Sequence, residues 1–334
     1  MHSTTGLASG RVVLGDNLAV LADLPDESID LIYVDPPFNT GKRQVLKRIK
    51  TVRDADGDRV GFQGLRYKTI KLGQSGYLDV HDDYLEFLEP RLIEFRRILK
   101  ESGSLYFHID YREAHYCKVL LDVIFGRECF LNEIIWAYDY GARATRKWPP
   151  KHDNILVFVK NVDRYFFDAQ AVERIPYMAP GLVGPAKAAR GKLPTDTWWH
   201  TIVPPSGKER TGYPTQKPLG ILRRIIQGSS PRGGLVADFF AGSGTTGVAC
   251  YELGRRFLMV DNNPQAVQVM ARRFAAHPDV DTLASFQQAC LLVRGHFLAR
   301  SDDHRWATPA NHGSRCRSSG HDLRHIDAGL RRSS

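Results

Sequence analysis

The run Asp30-Leu31-Ile32-Tyr33-Val34 is almost continuously apolar and stops at Asp35-Pro36-Pro37-Phe38. A strand with one wet face alternates polar and apolar residues, so a run apolar at successive positions belongs to a strand covered on both faces. That is the situation of a strand inside a parallel sheet flanked by helices. Two prolines cannot continue its hydrogen-bond ladder, so the strand ends where the acidic turn begins. The rest of the chain alternates in the same style. Strands are expected at Arg11–Leu14, closed by Gly15-Asp16-Asn17, and at Leu105–Ile109, Asn154–Val159, Leu235–Phe240 and Phe257–Val260. A helix is expected at Asp83–Lys100, where Leu85, Leu88, Leu92, Phe95 and Leu99 share a face. Others are expected at Glu113–Phe125, Leu219–Gln227, Gly247–Leu253 and Pro264–Ala276. Such alternation predicts an α/β fold, a Rossmann-like, twisted, mainly parallel sheet with helices on both faces.

The pattern weakens over residues 161–213, where Pro, Gly and Ala are frequent, and changes again after Cys290. Residues 1–290 read as one folded domain. Residues 291–334 hold eight Arg, five His and few large apolar residues, the composition of a disordered tail. Five scattered cysteines, none in a Cys-x-x-Cys spacing, give no disulfide framework and no zinc site, so no metal is expected. Met1 to Arg11 lacks an apolar stretch and no run of 18 apolar residues occurs, so neither a signal peptide nor a membrane span is expected. A cytoplasmic location follows as an expectation. The net charge of +9 favours an anionic partner, nucleic acid first.

Two segments carry chemistry. The first is Asp238-Phe239-Phe240-Ala241-Gly242-Ser243-Gly244-Thr245-Thr246-Gly247, which follows an expected strand and opens an expected helix. Gly242 and Gly244 allow a tight turn and close approach of a ligand. Asp261, 19 positions after Gly242 and at the end of the next strand, is spaced to receive ribose hydroxyls. A nucleoside-type cofactor fits this order, and a dinucleotide is a rival because Gly242, Gly244 and Gly247 satisfy G-x-G-x-x-G.

The second is Asp35-Pro36-Pro37-Phe38. An exocyclic amine on a nucleobase is a poor nucleophile because its lone pair is delocalised into the ring. Two acceptors aimed at its hydrogens would favour a tetrahedral nitrogen whose lone pair points at an electrophilic methyl group. The Asp35 carboxylate and the Pro36 carbonyl can be those acceptors, with Pro37 holding the turn rigid and Phe38 stacking on a base taken out of the duplex. The plain alternative is an acidic Asp-Pro turn that ends a strand.

Taken together, these residues resemble the site-specific DNA amino-methyltransferases of bacterial restriction–modification systems, over roughly residues 11–280. Asp35-Pro36-Pro37-Phe38 is similar to the catalytic motif of that family and Phe240-Ala241-Gly242-Ser243-Gly244 to its S-adenosylmethionine motif. Tyr213-Pro214-Thr215-Gln216-Lys217-Pro218 is similar to the segment that holds the methionine end of the cofactor, and Gly15-Asp16 to the acidic position near its adenine. The catalytic motif precedes the cofactor motif, the order of the permuted β group. The resemblance implies an S-adenosylmethionine-dependent methyltransferase fold and a cofactor site of Asp16, Asp35, Thr215, Lys217, Asp238, Phe240, Gly242, Ser243, Gly244, Thr245 and Asp261. It also implies a target-recognition region over 161–213 and double-stranded DNA as substrate. An Asp at the first catalytic position points to N6 of adenine, whereas a Ser is more typical of N4-cytosine enzymes. A cognate restriction endonuclease and a homodimer stand as further partners.

Between Gly41 and Lys71, ten Lys or Arg face three Asp. Asn39, Lys42, Arg43, Lys47 and Arg48 are therefore candidate DNA contacts, against the alternative of a mobile solvated loop. Trp198-Trp199 reads as packing and His108 as a satisfied structural residue. The readings left beside N6-adenine methylation are an N4-cytosine enzyme, an RNA or protein-amide methyltransferase, and an NAD-dependent dehydrogenase.

Overall fold

A computed structural model of the chain describes residues 9–37, 84–140 and 143–283, together with the strand backbone at 42–53, 59–60 and 66–79. Phe38, Asn39 and residues 291–334 lie outside the described residues.

The chain order is β1 (Gly10–Leu14), α1 (Asn17–Asp23), β2 (Ile29–Val34), β3 (Lys42–Arg53), β4 (Arg59–Val60), β5 (Arg66–Asp79), α2 (Tyr84–Ile98), β6 (Leu99–Asp110), α3 (Ala114–Phe125), β7 (Phe130–Ala137) and β8 (His152–Val159). It continues with α4 (Pro185–Arg190), β9 (Thr197–Trp199), α5 (Leu219–Ser229), β10 (Leu235–Asp238), α6 (Thr245–Glu252), β11 (Arg256–Asp261), α7 (Pro264–Phe274) and β12 (Val280–Leu283). Nine strands form one sheet in the order β12-β1-β11-β10-β2-β6-β8-β7-β9. All pairs from β12 to β6 are parallel; β8 is antiparallel to both β6 and β7, and β9 is parallel to β7. The expected Rossmann-like, mainly parallel sheet is present.

Strand β2 is buried at every position, as its apolar run predicts. Its alternation divides the core. Ile32 and Val34 face a layer made by α1, α2 and α3 through Leu21, Leu92 and Leu121. Leu31 and Tyr33 face the opposite layer, made by α5, α6 and α7 through Ile225, Ala249 and Met270. Successive side chains of a strand point to opposite faces, so one continuous apolar run serves two helix layers.

Several elements differ from the sequence reading. Leu99 and Lys100 belong to β6, not to the preceding helix. The helical spacing carries on to Leu99, but α2 ends at Ile98 and Leu99 pairs with Ile29 of β2. Strand β7 was not anticipated; it lies near the sheet edge, paired antiparallel with β8. The basic segment of candidate DNA contacts, for which a mobile solvated loop was the alternative, contains a hairpin, β3 with β5, in register from Lys42 with Asp79 to Arg53 with Tyr67. Lys42, Arg43, Lys47 and Arg48 all lie on β3. The region 161–213 carries little regular structure, and its β9 docks on β7. Of the tryptophan pair, Trp198 packs inside while Trp199 is 78% exposed. Among the described residues no helix is long and apolar enough to cross a membrane, and no cluster of His, Cys, Asp and Glu could hold a metal ion.

Candidate active site

Open α/β sheets bind ligands outside the carboxyl ends of their strands, where the strand order switches direction. Here the switch lies between β10 and β2. A cleft of about 270 Å³ opens there, lined among others by Asp16, Asp35, Asp238, Gly242, Asp261 and Lys217. Asp35, Asp238 and Asp261 each end or follow a strand of the parallel core, so three distant acids converge because their strands are neighbours.

The loop after β10 is built for close approach. Gly242 and Gly244 have φ of 53° and 74°, a region that glycine enters without strain. A Cβ on Gly244 would sit 2.6 Å from Met270 Cγ, so the loop tolerates no side chain there. Asp261 accepts from the Gly242 N–H at 2.8 Å and from the Asn263 N–H at 2.8 Å. Its carboxylate therefore ties the glycine loop to the end of β11, and burial raises its pKa against those two hydrogen bonds. Asp238 is fully buried, accepts from Thr246 Oγ1 at 2.6 Å and from the Phe240 N–H at 3.0 Å, and is pushed up to about 7 mainly by burial. Arg273 donates to the Ser243 carbonyl at 2.8 Å and Ser243 Oγ meets Thr245 Oγ1 at 3.1 Å. Phe240 packs on Phe87, with ring centroids 6.2 Å apart.

Asp16 is the N-cap of α1, accepting from Leu18 and Ala19 at 2.9 and 3.2 Å. Such a cap contributes about 1 kcal/mol to the helix, and its other oxygen lies 3.7 Å from Arg91. Asn17 donates to the Phe239 carbonyl at 2.9 Å, linking α1 to the cofactor strand. Thr215 is exposed and has φ of 58°, uncommon for a non-glycine residue, at the rim of the cleft.

Asp35 is held asymmetrically. Lys217 Nζ lies 2.7 Å from its Oδ2, with both side chains largely buried. Its Oδ1 is buried and, among the described residues, has no hydrogen-bond partner. An unpaired buried carboxylate oxygen is costly unless something else occupies it. The sequence reading placed Lys217 with the cofactor; the structure places its ammonium on Asp35. Behind Asp35 stands His108, fully buried, with Nδ1 2.7 Å from Tyr33 Oη, 3.9 Å from Asp35 Oδ1, and Nε2 3.3 Å from Asp153 Oδ2. Burial, the largest influence, raises the pKa of Asp153, but the hydrogen bonds from His108 and Tyr138 and the electrostatic pull of His108 and Lys217 together outweigh it and leave the group lowered. Each ring nitrogen of His108 thus has a hydrogen-bond partner.

Asp16, Asp35, Thr215, Lys217, Asp238, Phe240, Gly242, Ser243, Thr245 and Asp261 line one cleft, with Pro37 at its edge. Gly244 shapes the loop from beneath, and Pro36 is buried in the turn. Sequence reasoning missed Asn17, Tyr33, Arg91 and Asn263, which also line it, and Tyr213 of the quoted cofactor segment lines it too. The Tyr33 hydroxyl, polar within an apolar run, was the one local signal. Four carboxylates against Lys217 and Arg91 make the cleft acidic. That suits a cationic nucleoside and disfavours the anionic pyrophosphate of a dinucleotide.

Comparisons with known proteins agree with this geometry. The profile of a family described as DNA methylase, covering N6 and N4 methyltransferases, matches residues 29–272. The chain is 30% identical over 293 residues to the DNA adenine methyltransferase YhdJ of Escherichia coli, covering 85% of this chain and 89% of that one. It is 30% identical over 263 residues to the type II methyltransferase M.HpaI of Haemophilus parainfluenzae, covering 79% and 73%. In fold it is similar to the PvuII cytosine-N4-specific DNA methyltransferase, with a TM-score of 0.56 at 17% identity over 88% of this chain and 94% of that one. It is also similar to M1.HpyAVI solved with S-adenosylmethionine, with a TM-score of 0.52 at 20% identity over 79% and 98%.

Proposed function

Because the chain belongs to the S-adenosylmethionine-dependent DNA methylase family of N6-adenine and N4-cytosine enzymes, we propose that it methylates the N6 amino group of adenine within a specific double-stranded DNA sequence. The observation that carries the chemistry is the asymmetry at Asp35. Lys217 holds Oδ2 and so fixes the carboxylate at the cleft, where it serves as the acceptor for one N–H of the target amine. The Pro36 carbonyl takes the second N–H, kept in place by Pro37. Both acceptors strengthen their hold as the nitrogen leaves planarity and gains positive charge, which places their effect in the transition state. Phe38 stacks on the flipped base.

S-adenosylmethionine, when bound, supplies an electrophilic methyl group on a sulfonium. The loop from Gly242 to Thr245 holds it by backbone contact, with Asp261 and Asp16 toward its nucleoside, Thr215 at the rim, and Asp238 and Phe240 behind. Adenine rests on Asp35 at the first motif position and on the likeness to an adenine methyltransferase at 30% identity. Lys42, Arg43, Lys47 and Arg48 contact phosphates, and residues 161–213 read the sequence.

The test is incubation of unmethylated plasmid with the protein and labelled cofactor, then mass spectrometry of the digested nucleosides. N6-methyladenine at one recurring sequence is expected. N4-methylcytosine would overturn the choice of base, and label in neither base would overturn DNA methylation itself.

A further inference from the structure

The active-site rim carries an element with no role so far, the loop 138–151 between β7 and β8. Its placement follows from strand direction. Asp110, at the carboxyl end of β6, pairs with Asp153 near the start of the antiparallel β8, and Asp153 pairs with Trp136 near the end of β7. The loop therefore leaves and re-enters the sheet on the side where Asp35 lies. Its two ends are tied together, the Tyr138 N–H donating to the Lys151 carbonyl at 2.9 Å and Lys151 pairing with Asp139 at 3.7 Å. Tyr138 and Tyr140 at its base line a second cavity of about 650 Å³, which shares Tyr213, Pro214, Thr215 and Lys217 with the cofactor cleft. Lys217 is the residue that grips Asp35, so the cavity at the loop base reaches the partner of the catalytic carboxylate.

Beyond the base the loop turns basic and aromatic. Arg143, Arg146 and Lys147 are exposed, and none is in an ion pair among the described residues. Trp148 follows them, 94% exposed, and is backed by Pro149-Pro150, which stiffen the chain behind it. An indole so exposed, beside three cations, buries its area only against a partner. Phosphates match the cations, and an unstacked base step matches a flat apolar wedge.

We propose that residues 143–148 of this loop form a DNA-contacting wedge: Arg143, Arg146 and Lys147 hold phosphates, and Trp148 enters the duplex beside the target base and stabilises its extrusion. This rests on the DNA-methylase reading above. A wedge lowers the energy of taking a paired base out of the stack, so its value falls when the base is already unpaired.

The experiment compares the wild type with Trp148→Ala, Trp148→Phe and the triple Arg143→Glu/Arg146→Glu/Lys147→Glu variant. The substrates are duplexes carrying the methylated sequence, with the target base matched or mismatched. Trp148→Ala is expected to keep its melting temperature and S-adenosylhomocysteine affinity and to lose about tenfold or more in kcat/KM on matched DNA. On mismatched DNA the deficit is expected to shrink to about threefold or less, and Trp148→Phe is expected to recover most of it. The triple variant is expected to bind all DNA sequences less tightly, with a shallower salt dependence. Wild-type kinetics in Trp148→Ala, or an equal deficit on matched and mismatched duplexes, overturns the wedge. A wild-type protein that methylates no DNA overturns the underlying activity instead, and the two failures are distinct.

Discussion

Lys217→Met separates two roles that the active-site geometry sets against each other. The substitution keeps the length and apolar stem of the side chain and removes its charge. At the 2.7 Å separation of Lys217 Nζ and Asp35 Oδ2, two unit charges attract by about 6 kcal/mol at an effective dielectric near 20. The cost of taking both groups out of water offsets much of this, yet deleting one member of a buried pair still costs roughly 3–5 kcal/mol. The side chains of Lys217 and Asp35 are 11% and 16% exposed, so the low end applies. Without its partner the carboxylate reorients toward water, and that change spoils its placement as an acceptor. Separately from that stability cost, losing a preorganised acceptor costs about 3 kcal/mol in the transition state, a fall of roughly 150-fold in rate. The assay is single-turnover methyl transfer at saturating DNA and cofactor, with S-adenosylhomocysteine affinity measured separately by calorimetry. A large fall in rate with affinity changed by about threefold or less is expected, under 1 kcal/mol. A near-normal rate at saturation, with the damage confined to cofactor affinity, would refute the reasoning and return Lys217 to the cofactor.

Asp35→Asn keeps shape and one acceptor but not the charge, and it is expected to slow methyl transfer by about a hundredfold or more while DNA and cofactor still bind; turnover close to wild type would remove Asp35 from the chemistry. Asp238 offers a test by pH. Burial lifts it from 3.8 to about 7, so the folded chain binds the proton more tightly than the unfolded chain. Its contribution to stability is therefore fully present below about pH 4 and is lost as pH rises through 7, a change on the order of 4 kcal/mol. Urea unfolding between pH 5 and 8 is expected to show a smaller decline in Asp238→Asn than in the wild type, and parallel declines would assign the titration to other groups.

The parts of this fold that were readable in the sequence are those set by local patterning. The run at 30–34 announced a doubly covered strand, and the prolines at 36 and 37 marked its end. The glycines at 242 and 244, followed by an acid at 261, placed the second functional loop correctly after its strand. What escaped detection depends on partners far along the chain. The pairing of Lys42 with Asp79 leaves no short-range periodicity, so the hairpin was not anticipated. Strand β7 carries Asn132 and Glu133 among its apolar residues, a mixture that an edge-side strand tolerates and a sequence pattern does not flag. The ion pair of Asp35 with Lys217 joins residues 182 positions apart, and nothing local in either motif reveals it. Helix α2 was overrun by two residues at its end, because Leu99 is as suitable for a strand core as for a helix face.

The order of strands also bears on how the protein comes into being. β2, made early, has β10 as one neighbour, and Leu31 meets Val236 only after some two hundred further residues have been synthesised. β1 waits longer still, for β11 and β12. Long-range pairing of this kind slows folding and leaves the apolar edge of an emerging strand open to other chains. A chain interrupted before Asp261 would possess the catalytic turn without a complete place for the methyl donor. Ligand binding can therefore stabilise only the finished sheet, and cofactor concentration becomes a factor in how much of the newly made protein survives.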